Sequence, residues 1–332
     1  MTAPEVVAGE ALPLVLLSGG GGGAKLAGAL SAVVTDRPVI VVTNTGDDFE
    51  HLGLLICPDT DSVMYAASGN IDAQKGWGRA GESWEVFDTL RSLGGPSWFQ
   101  LGDKDLGLHL ARSDLLAQGA SLAQVTAHLA GHLAVPATVT VVPATEQPVR
   151  TRVHTAEGEL GFQEYFVKHR CEPVLTGIKY RGIEQALPTA SLAALLEQYG
   201  EDGFDVVLGP SNPFLSLGPI LDIPQMTEAL LQRARHVMAV SPIIGGKALK
   251  GPAAKIMTEL GLNVSAQGWV EWMCQRYPDL IDTWVCDEAD RALFAEGAVA
   301  DLDVRLTQTV MSTPQRAQAL AQWLLEVAED NA

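Results

Sequence analysis

The chain alternates short, uninterrupted apolar runs with longer segments whose apolar residues recur at helical spacing. Leu14-Val15-Leu16-Leu17 and the run from Pro38 to Thr43 have the pattern of strands buried on both faces. Residues 61–69, 82–93 and 105–117 read as helices. This βα rhythm, running from residue 14 to about 135, predicts a parallel sheet covered by helices on both faces. The texture changes at Ala137, where Thr138–Val142, Val149–His154 and Gly161–Val167 are short, β-rich and separated by turn residues. They predict a small α+β insertion. The rhythm then resumes with Asp205–Leu208, His236–Val240 and Thr283–Cys286, and a helix from Thr313 to Val327 closes the chain with an apolar stripe. The expected architecture is α/β: a Rossmann-like, mostly parallel sheet divided between residues 1–136 and 191–332, with the smaller α+β insertion at 137–190.

Composition narrows the functional classes. With 332 residues and 47% hydrophobic content the chain can bury a large core, which argues against disorder. A formal charge of −18 opposes binding by general attraction to nucleic acid or to an anionic membrane. No apolar run reaches the roughly eighteen residues of a membrane span, and the first dozen residues lack a basic leader, so a cytoplasmic protein is expected. A homodimer is the default assembly. Cys57, Cys171, Cys274 and Cys286 lie far apart with no Cys-x-x-Cys pair, which fits reduced, packed thiols.

The chemistry gathers where predicted strands end. Asn44-Thr45-Gly46-Asp47-Asp48 and Pro58-Asp59-Thr60-Asp61 place four carboxylates just after the second apolar run. Carboxylates so close repel one another unless a proton or a cation shares the site, which points to a hard divalent metal with oxygen ligands. Turn and helix capping is the plainer reading of the same aspartates. Upstream, Ser18 runs into Gly19 to Gly23 and then a helical pattern beginning at Ala24-Lys25. Strand, glycine turn and helix let backbone N–H groups approach a phosphate. The segment lacks the Gly-Lys-Ser/Thr of a Walker loop and fits the dinucleotide pattern only loosely. Gly21 in particular is expected to need positive φ or close ligand approach. Two later loops follow strands: Gly209-Pro210-Ser211-Asn212-Pro213, continuing through Ser216, and Ser241 to Lys255, where Gly245-Gly246 precedes Lys247. Lys247, Lys250 and Lys255 are three of the chain's eight lysines, a local concentration that suggests a polyphosphate. All four loops are expected on one edge of the sheet.

Ser18-Gly19-Gly20, Asn44 to Asp48, Pro58 to Asp61, Leu101-Gly102-Asp103-Lys104-Asp105, Phe162-Gln163-Glu164-Tyr165, Gly209 to Pro213 and Ser241 to Gly246 occur in this order. Together they resemble the 2-phospho-L-lactate transferase family of coenzyme F-420 biosynthesis. The resemblance implies transfer of a phospho-three-carbon-acid group (phospholactate, phosphoenolpyruvate or phosphoglycerate) from a guanosine-diphosphate-activated donor to the ribityl hydroxyl of the deazaflavin Fo. GMP is released, and a divalent cation, Mg²⁺, is required. It also implies that Asp47 and Asp59 hold the metal and that Asp61 and Gln100 face the deazaflavin. Gly19, Gly20, Gly21, Gly22, Lys25, Asn44, Ser211, Asn212, Ser216, Gly245, Gly246 and Lys247 are then candidates for the nucleotide and its phosphates. The family's glycine loop often contains threonines, replaced here by Gly21, Gly23 and Ala24, and Gln100 stands where a basic residue is common.

For catalysis the residues leave the proton acceptor open among Asp48, Asp61 and a neighbouring carboxylate, with Asp47 assigned to electrostatic stabilisation. Tyr65, Trp77 and Trp84 follow the acidic cluster and read as core or rim packing in preference to a ring-binding wall. Two rival readings are a noncatalytic nucleotide-sugar-binding regulator, which shares the glycine turn and Asn-Thr-Gly-Asp-Asp, and a nicotinamide-dependent oxidoreductase. Against the latter, the second strand ends in Asn44 where an acidic residue would bind ribose.

Overall fold

The computed structural model describes residues 12–330 apart from 73, 200–202, 250, 295–298 and 300. Seven strands form the central sheet: β1 (Leu14–Ser18), β2 (Val39–Thr43), β3 (Val139–Pro143), β4 (Phe204–Leu208), β5 (Ala234–Val240), β6 (Thr283–Asp287) and β7 (Asp303–Thr307). Their order is β7-β6-β5-β4-β1-β2-β3, and every neighbouring pair is parallel. This is the doubly wound arrangement, and the strand order reverses between β1 and β4. Ligand crevices of open α/β sheets form beyond the carboxyl ends of the strands at such a reversal.

Alternate residues of the central strands feed two separate cores. Leu14, Leu16, Val39 and Val41 face one side, where they are covered by α1 (Gly20–Val33), α2 (Pro58–Ala67) and a C-terminal helix (Pro314–Asp330). Val15, Leu17, Ile40 and Val42 face the other, packing with residues 149–230 and with a helix at Ala266–Arg276. Burial on both faces explains the unbroken apolar runs. At the opposite end of the sheet from the crevice, Arg37 and Asp205 form a buried ion pair at 3.0 Å.

The structure revises several expected elements. Val139–Pro143, read as the start of the insertion, pairs with β2 as a strand of the main sheet. The separate three-stranded antiparallel sheet comprises Arg150–Thr155, Gly158–Gly161 and Leu175–Arg181. Gly161–Val167 is not a strand: pairing ends at Gly161, and Glu164–Lys168 forms a π turn that buries Tyr165. The strand β7 has no counterpart among the predicted elements, because its charged, alternating residues Asp303-Val304-Arg305 lack a buried run. Helix α1 begins at Gly20, so four of the five glycines are helical and do not form a loop.

Removing one partner of a buried ion pair leaves an uncompensated charge, which costs roughly 3–5 kcal/mol. Arg37→Met is therefore expected to destabilise the protein by that order in urea unfolding, and Arg37→Met/Asp205→Val to recover most of the loss. A double variant as unstable as the single one contradicts this account.

Candidate active site

Four chain segments meet at the reversal between β1 and β4, joined by short hydrogen bonds. The Gly19 N–H donates to Ser211 Oγ at 3.2 Å, and the Gly20 N–H donates to Asp59 Oδ1 at 2.7 Å. Asn44 Nδ2 donates both to Asp59 Oδ2 at 2.9 Å and to the Leu215 carbonyl at 3.1 Å. The Asn44 Oδ1 accepts from the Gly46 N–H at 2.8 Å, closing the turn that carries Asp47 and Asp48. The antiparallel sheet supports that turn from outside, where the Thr151 N–H donates to the Gly46 carbonyl at 2.6 Å. These contacts bring the glycine run, the Asn44–Asp48 turn, the start of α2 and the Ser211–Ser216 loop together at the carboxyl end of the sheet, where ligand crevices of such folds form.

The glycines answer different needs. A Cβ on Gly19 would lie 2.5 Å from Ser216 Cβ and 2.7 Å from Asp59 Oδ2, and one on Gly23 would lie 2.5 Å from Ser18 Oγ. A Cβ on Gly22 would collide with the Pro210 carbonyl oxygen. Gly20 has φ +63°, the left-handed region that favours glycine. Gly21, expected to need positive φ or close ligand approach, does not have positive φ: it sits in the first turn of α1, and a Cβ there would meet no protein atom nearer than the Gly76 carbonyl at 3.7 Å. The first N–H groups of a helix lack intrahelical acceptors. Here Asp59 satisfies one of them, and its negative charge suits the positive end of the helix.

Asp47, Asp48 and Asp59 are all buried. Burial and the neighbouring Asp59 charge hold the Asp47 carboxyl well above its ordinary value. Burial pushes Asp48 up to about 8, against the pull of Arg150, and Asp59 to about 6, against the hydrogen bonds from Asn44 and Gly20. Asp47 Oδ1 and Asp48 Oδ1 are buried without a hydrogen-bond partner. Asp47 and Asp59 therefore fit a hard divalent cation, since oxygen ligation would satisfy the orphaned Asp47 oxygen and remove the mutual repulsion.

Asp61 lies in a different environment. The Arg112 guanidinium holds both of its oxygens, with Nη1 3.1 Å from Oδ2 and Nη2 in close contact with Oδ1. Arg112 Nη1 lies 3.0 Å from His109 Nδ1, which must accept that proton, so the neutral ring carries its hydrogen on Nε2, 3.5 Å from Asp105 Oδ2. Tyr65, buried as expected, donates to Asp105 Oδ1 at 2.6 Å. Burial raises the Asp105 carboxyl, but hydrogen bonds from His109 and Tyr65 outweigh it and hold the group below its ordinary value. Asp61, Asp105 and His109 together have the side-chain types of a metal site. Arg112 already supplies the positive charge there. Asp105 reaches a shallow groove whose lining includes Trp77, Trp84, Gln100 and Lys75, and Lys75 Nζ sits 4.6 Å from the Trp84 ring centre.

Ser211 and Ser216 are buried against Gly19, while Asn212 caps Phe214 and Leu215 through Oδ1 and leaves a buried Nδ2 without a partner. Lys25 Nζ donates to the Met311 carbonyl at 3.1 Å. Gly245 and Gly246 form an exposed hairpin tip with positive φ, with the Gly245 N–H on Asp290. Lys247 is exposed, and among the described residues no hydrogen bond joins this hairpin to Asn44, Asp47 or Asp59. Lys250 lies outside the described residues, and Lys255 is tied to the Tyr165 hydroxyl, the Pro173 carbonyl and Glu259. Lys247 and Lys255 therefore have different surroundings, one exposed at the hairpin and the other held by Tyr165, Pro173 and Glu259. Sequence reasoning missed Arg112, His109, Arg150 and Thr151. The spacing of Asp105, His109 and Arg112 along one helix face was a usable signal, but their target, Asp61, is set by tertiary packing.

Fold and site define a Rossmann-like α/β protein with a cluster of buried carboxylates at the sheet reversal. The family model for "2-phospho-L-lactate transferase CofD" matches residues 14–317, and the chain belongs to this family of transferases. A 2-phospho-L-lactate transferase from Methanosarcina mazei is 34% identical over 315 residues, covering 94% of this chain and 99% of the relative. A phosphoenolpyruvate transferase from Kitasatospora aureofaciens is 36% identical over 324 residues, covering 95% and 98%. Among solved structures, a member of the UPF0052 family from Bacillus halodurans superposes with a TM-score of 0.61 at 14% identity, covering 95% of this chain and 99% of that one. That likeness shows a shared fold.

Two outcomes follow for the crevice. Gly21→Ala is expected to be neutral or to stabilise by up to about 1 kcal/mol, as for a helical Gly→Ala change with space available. Gly22→Ala should destabilise, because the Pro210 backbone must move; chemical denaturation of both variants checks the contrast, and equal stabilities overturn it. The second concerns pH. Asp48 has a folded pKa of about 8 against an ordinary 3.8, so its stabilising contribution is complete below about 4 and is lost as pH rises through 8. Asp48→Asn should therefore gain stability relative to the wild type across this window, at up to about 1.4 kcal/mol per pH unit. A pH-independent difference between the two proteins excludes a buried, protonated Asp48.

Proposed function

We propose that this chain transfers a phospho-three-carbon-acid group from its GMP-activated diphosphate donor to the terminal ribityl hydroxyl of the deazaflavin Fo, releasing GMP, and that it acts as a cytoplasmic homodimer. The observation that carries the reading is the buried Asp47–Asp59 pair beside the glycine start of α1, in a chain whose family match is nearly complete. Such a transfer requires neutralisation of the non-bridging oxygens and alignment of the attacking hydroxyl more than a covalent nucleophile.

Asp47 and Asp59 would hold Mg²⁺, which supplies charge neutralisation at the diphosphate when bound. On the protein side, α1 presents its N-terminus to the donor phosphates, while Ser211, Asn212 and Ser216 line the adjoining wall. Asn44 orients Asp59 by donating to Oδ2, and it fixes the Asp47 turn through the Gly46 N–H. The acceptor is proposed to lie along the groove lined by Trp77, Trp84, Gln100 and Asp105, where the exposed Trp77 belongs to the rim and not to the core, so these aromatics are offered to a ring against the plainer packing reading. Because Asp61 is saturated by Arg112, it serves this groove by holding Arg112 and His109 in place and not by taking the hydroxyl proton. Relatives named for phospholactate and for phosphoenolpyruvate are comparably similar to this chain, so either donor fits the family likeness.

The test is incubation of the protein with Fo, Mg²⁺ and the lactyl, enolpyruvyl and glyceryl donors in competition, with products identified by mass spectrometry. A phosphodiester product containing one of the three acids supports the reading, and unchanged substrates after long incubation refute it. Asp47→Asn and Asp59→Asn should each lower turnover by about a hundredfold or more, the loss typical of a principal electrostatic stabiliser. Each should also shift the Mg²⁺ concentration needed for half-maximal rate. Near-normal turnover with an unchanged Mg²⁺ requirement in both variants removes the metal assignment.

A further inference from the structure

The antiparallel sheet is amphipathic in charge as well as hydropathy. Residues 150–181 contain six Lys/Arg against four Asp/Glu, in a chain of formal charge −18. Strand register sorts them: Arg150 lies opposite Arg181, and Arg152 opposite Lys179. Directly opposed residues share a face, as do alternate residues along a strand. One face therefore carries Arg150, Arg152, Lys179 and Arg181, while the other carries Thr151, Val153, Ile178 and Tyr180, which pack into the protein. The acid on the basic face is Glu159, which bonds Arg152 Nε at 2.9 Å and Arg181 Nη2 at 2.7 Å. Glu164, at its margin, is paired with Lys168 at 3.8 Å. Four cations against one carboxylate leave a surplus of positive charge, and Lys179 and Arg181 at its outer part are exposed.

This face starts at the crevice. Thr151, the residue after Arg150, bonds the carbonyl of Gly46 in the aspartate turn, and the charge of Arg150 acts on Asp48. Arg150 to His154 spans about 13 Å at the usual strand rise, comparable with a Debye length of about 8–10 Å at moderate salt. The positive field of the sheet therefore extends to the crevice mouth, whereas most of the surface repels anions.

We infer that the basic face formed by Arg150, Arg152, Lys179 and Arg181 steers a polyanionic donor of the nucleoside diphosphate class into the crevice, raising its association rate without holding the bound ligand or taking part in chemistry. The inference rests on the donor class proposed above. Steering of this kind acts on the association rate and is screened by salt, while dissociation and turnover stay unchanged.

The test is stopped-flow binding of a fluorescent GDP derivative to the wild type, to Lys179→Gln/Arg181→Gln and to Glu159→Gln, at low and high ionic strength. The double variant should associate several-fold more slowly at low salt, converge on the wild type at high salt, and keep its dissociation rate. Glu159→Gln should associate faster than the wild type, a change of sign that loss of structure does not produce. Equal association rates in the double variant, a loss independent of salt, or slower association in Glu159→Gln overturns the steering role while leaving the donor reading intact. A wild-type protein that does not bind GDP at all overturns the donor reading, and the steering role with it.

Discussion

The Asp59 carboxylate is the contact on which the crevice depends. One oxygen closes the start of α1 through the Gly20 N–H, and the other holds Asn44, which in turn bonds the Leu215 carbonyl. Helix α1 has no side-chain cap of its own, because Gly19 occupies the N-cap position. An acid from the next helix performs that role, so capping here is a tertiary contact. The same arrangement places a buried negative charge beside Asp47, whose own carboxylate has fewer compensating donors. Two carboxylates buried side by side cannot both stay charged without cost, so burial and the Asp59 charge hold Asp47 above its ordinary value.

Close packing around the glycine run follows from this tie. For Gly20 to reach Asp59, β1 must end against the Ser211–Ser216 loop, and Gly19, Gly22 and Gly23 each lie where a Cβ would meet a neighbouring atom. The antiparallel sheet closes the remaining side. Thr151 bonds the aspartate turn, and the Tyr180 hydroxyl donates to the Phe214 carbonyl in a space that the missing Cβ of Gly218 leaves open. Lys255, Tyr165 and Glu259 anchor the far part of this region to the C-terminal half. The inserted segment is thus a wall of the crevice on its inner face and a cationic surface on its outer one.

Two kinds of buried carboxylate coexist within three residues. Asp59 and Asp61 both belong to the first turn of α2, yet Asp59 faces the glycine run while Asp61 faces Arg112. Helical geometry separates them by about 200°, at roughly 100° per residue. One accepts neutral donors from Gly20 and Asn44, and the other is paired with a guanidinium that also positions His109 and, through it, Asp105.

Local patterning was enough to locate the strands of the sheet centre, the βα rhythm and the convergence of the glycine run with Asn44, Asp59 and Ser211, because buried parallel strands require unbroken apolar runs and ligand loops follow their carboxyl ends. The ordered motifs also led to the family. The same patterning did not reveal that Val139–Pro143 belongs to the main sheet or that β7 exists, since an edge strand and an insertion strand share one local signature. Nor did it distinguish the individual glycines, since the contact of Gly22 with Pro210 joins atoms nearly two hundred residues apart and the positive φ falls at Gly20 instead of Gly21. The Arg112–Asp61 pair and the different surroundings of Lys247 and Lys255 were equally hidden. Hydrophobic periodicity reports which faces are buried, but the partner of a buried charge is chosen by how distant segments pack, and that choice is made in three dimensions.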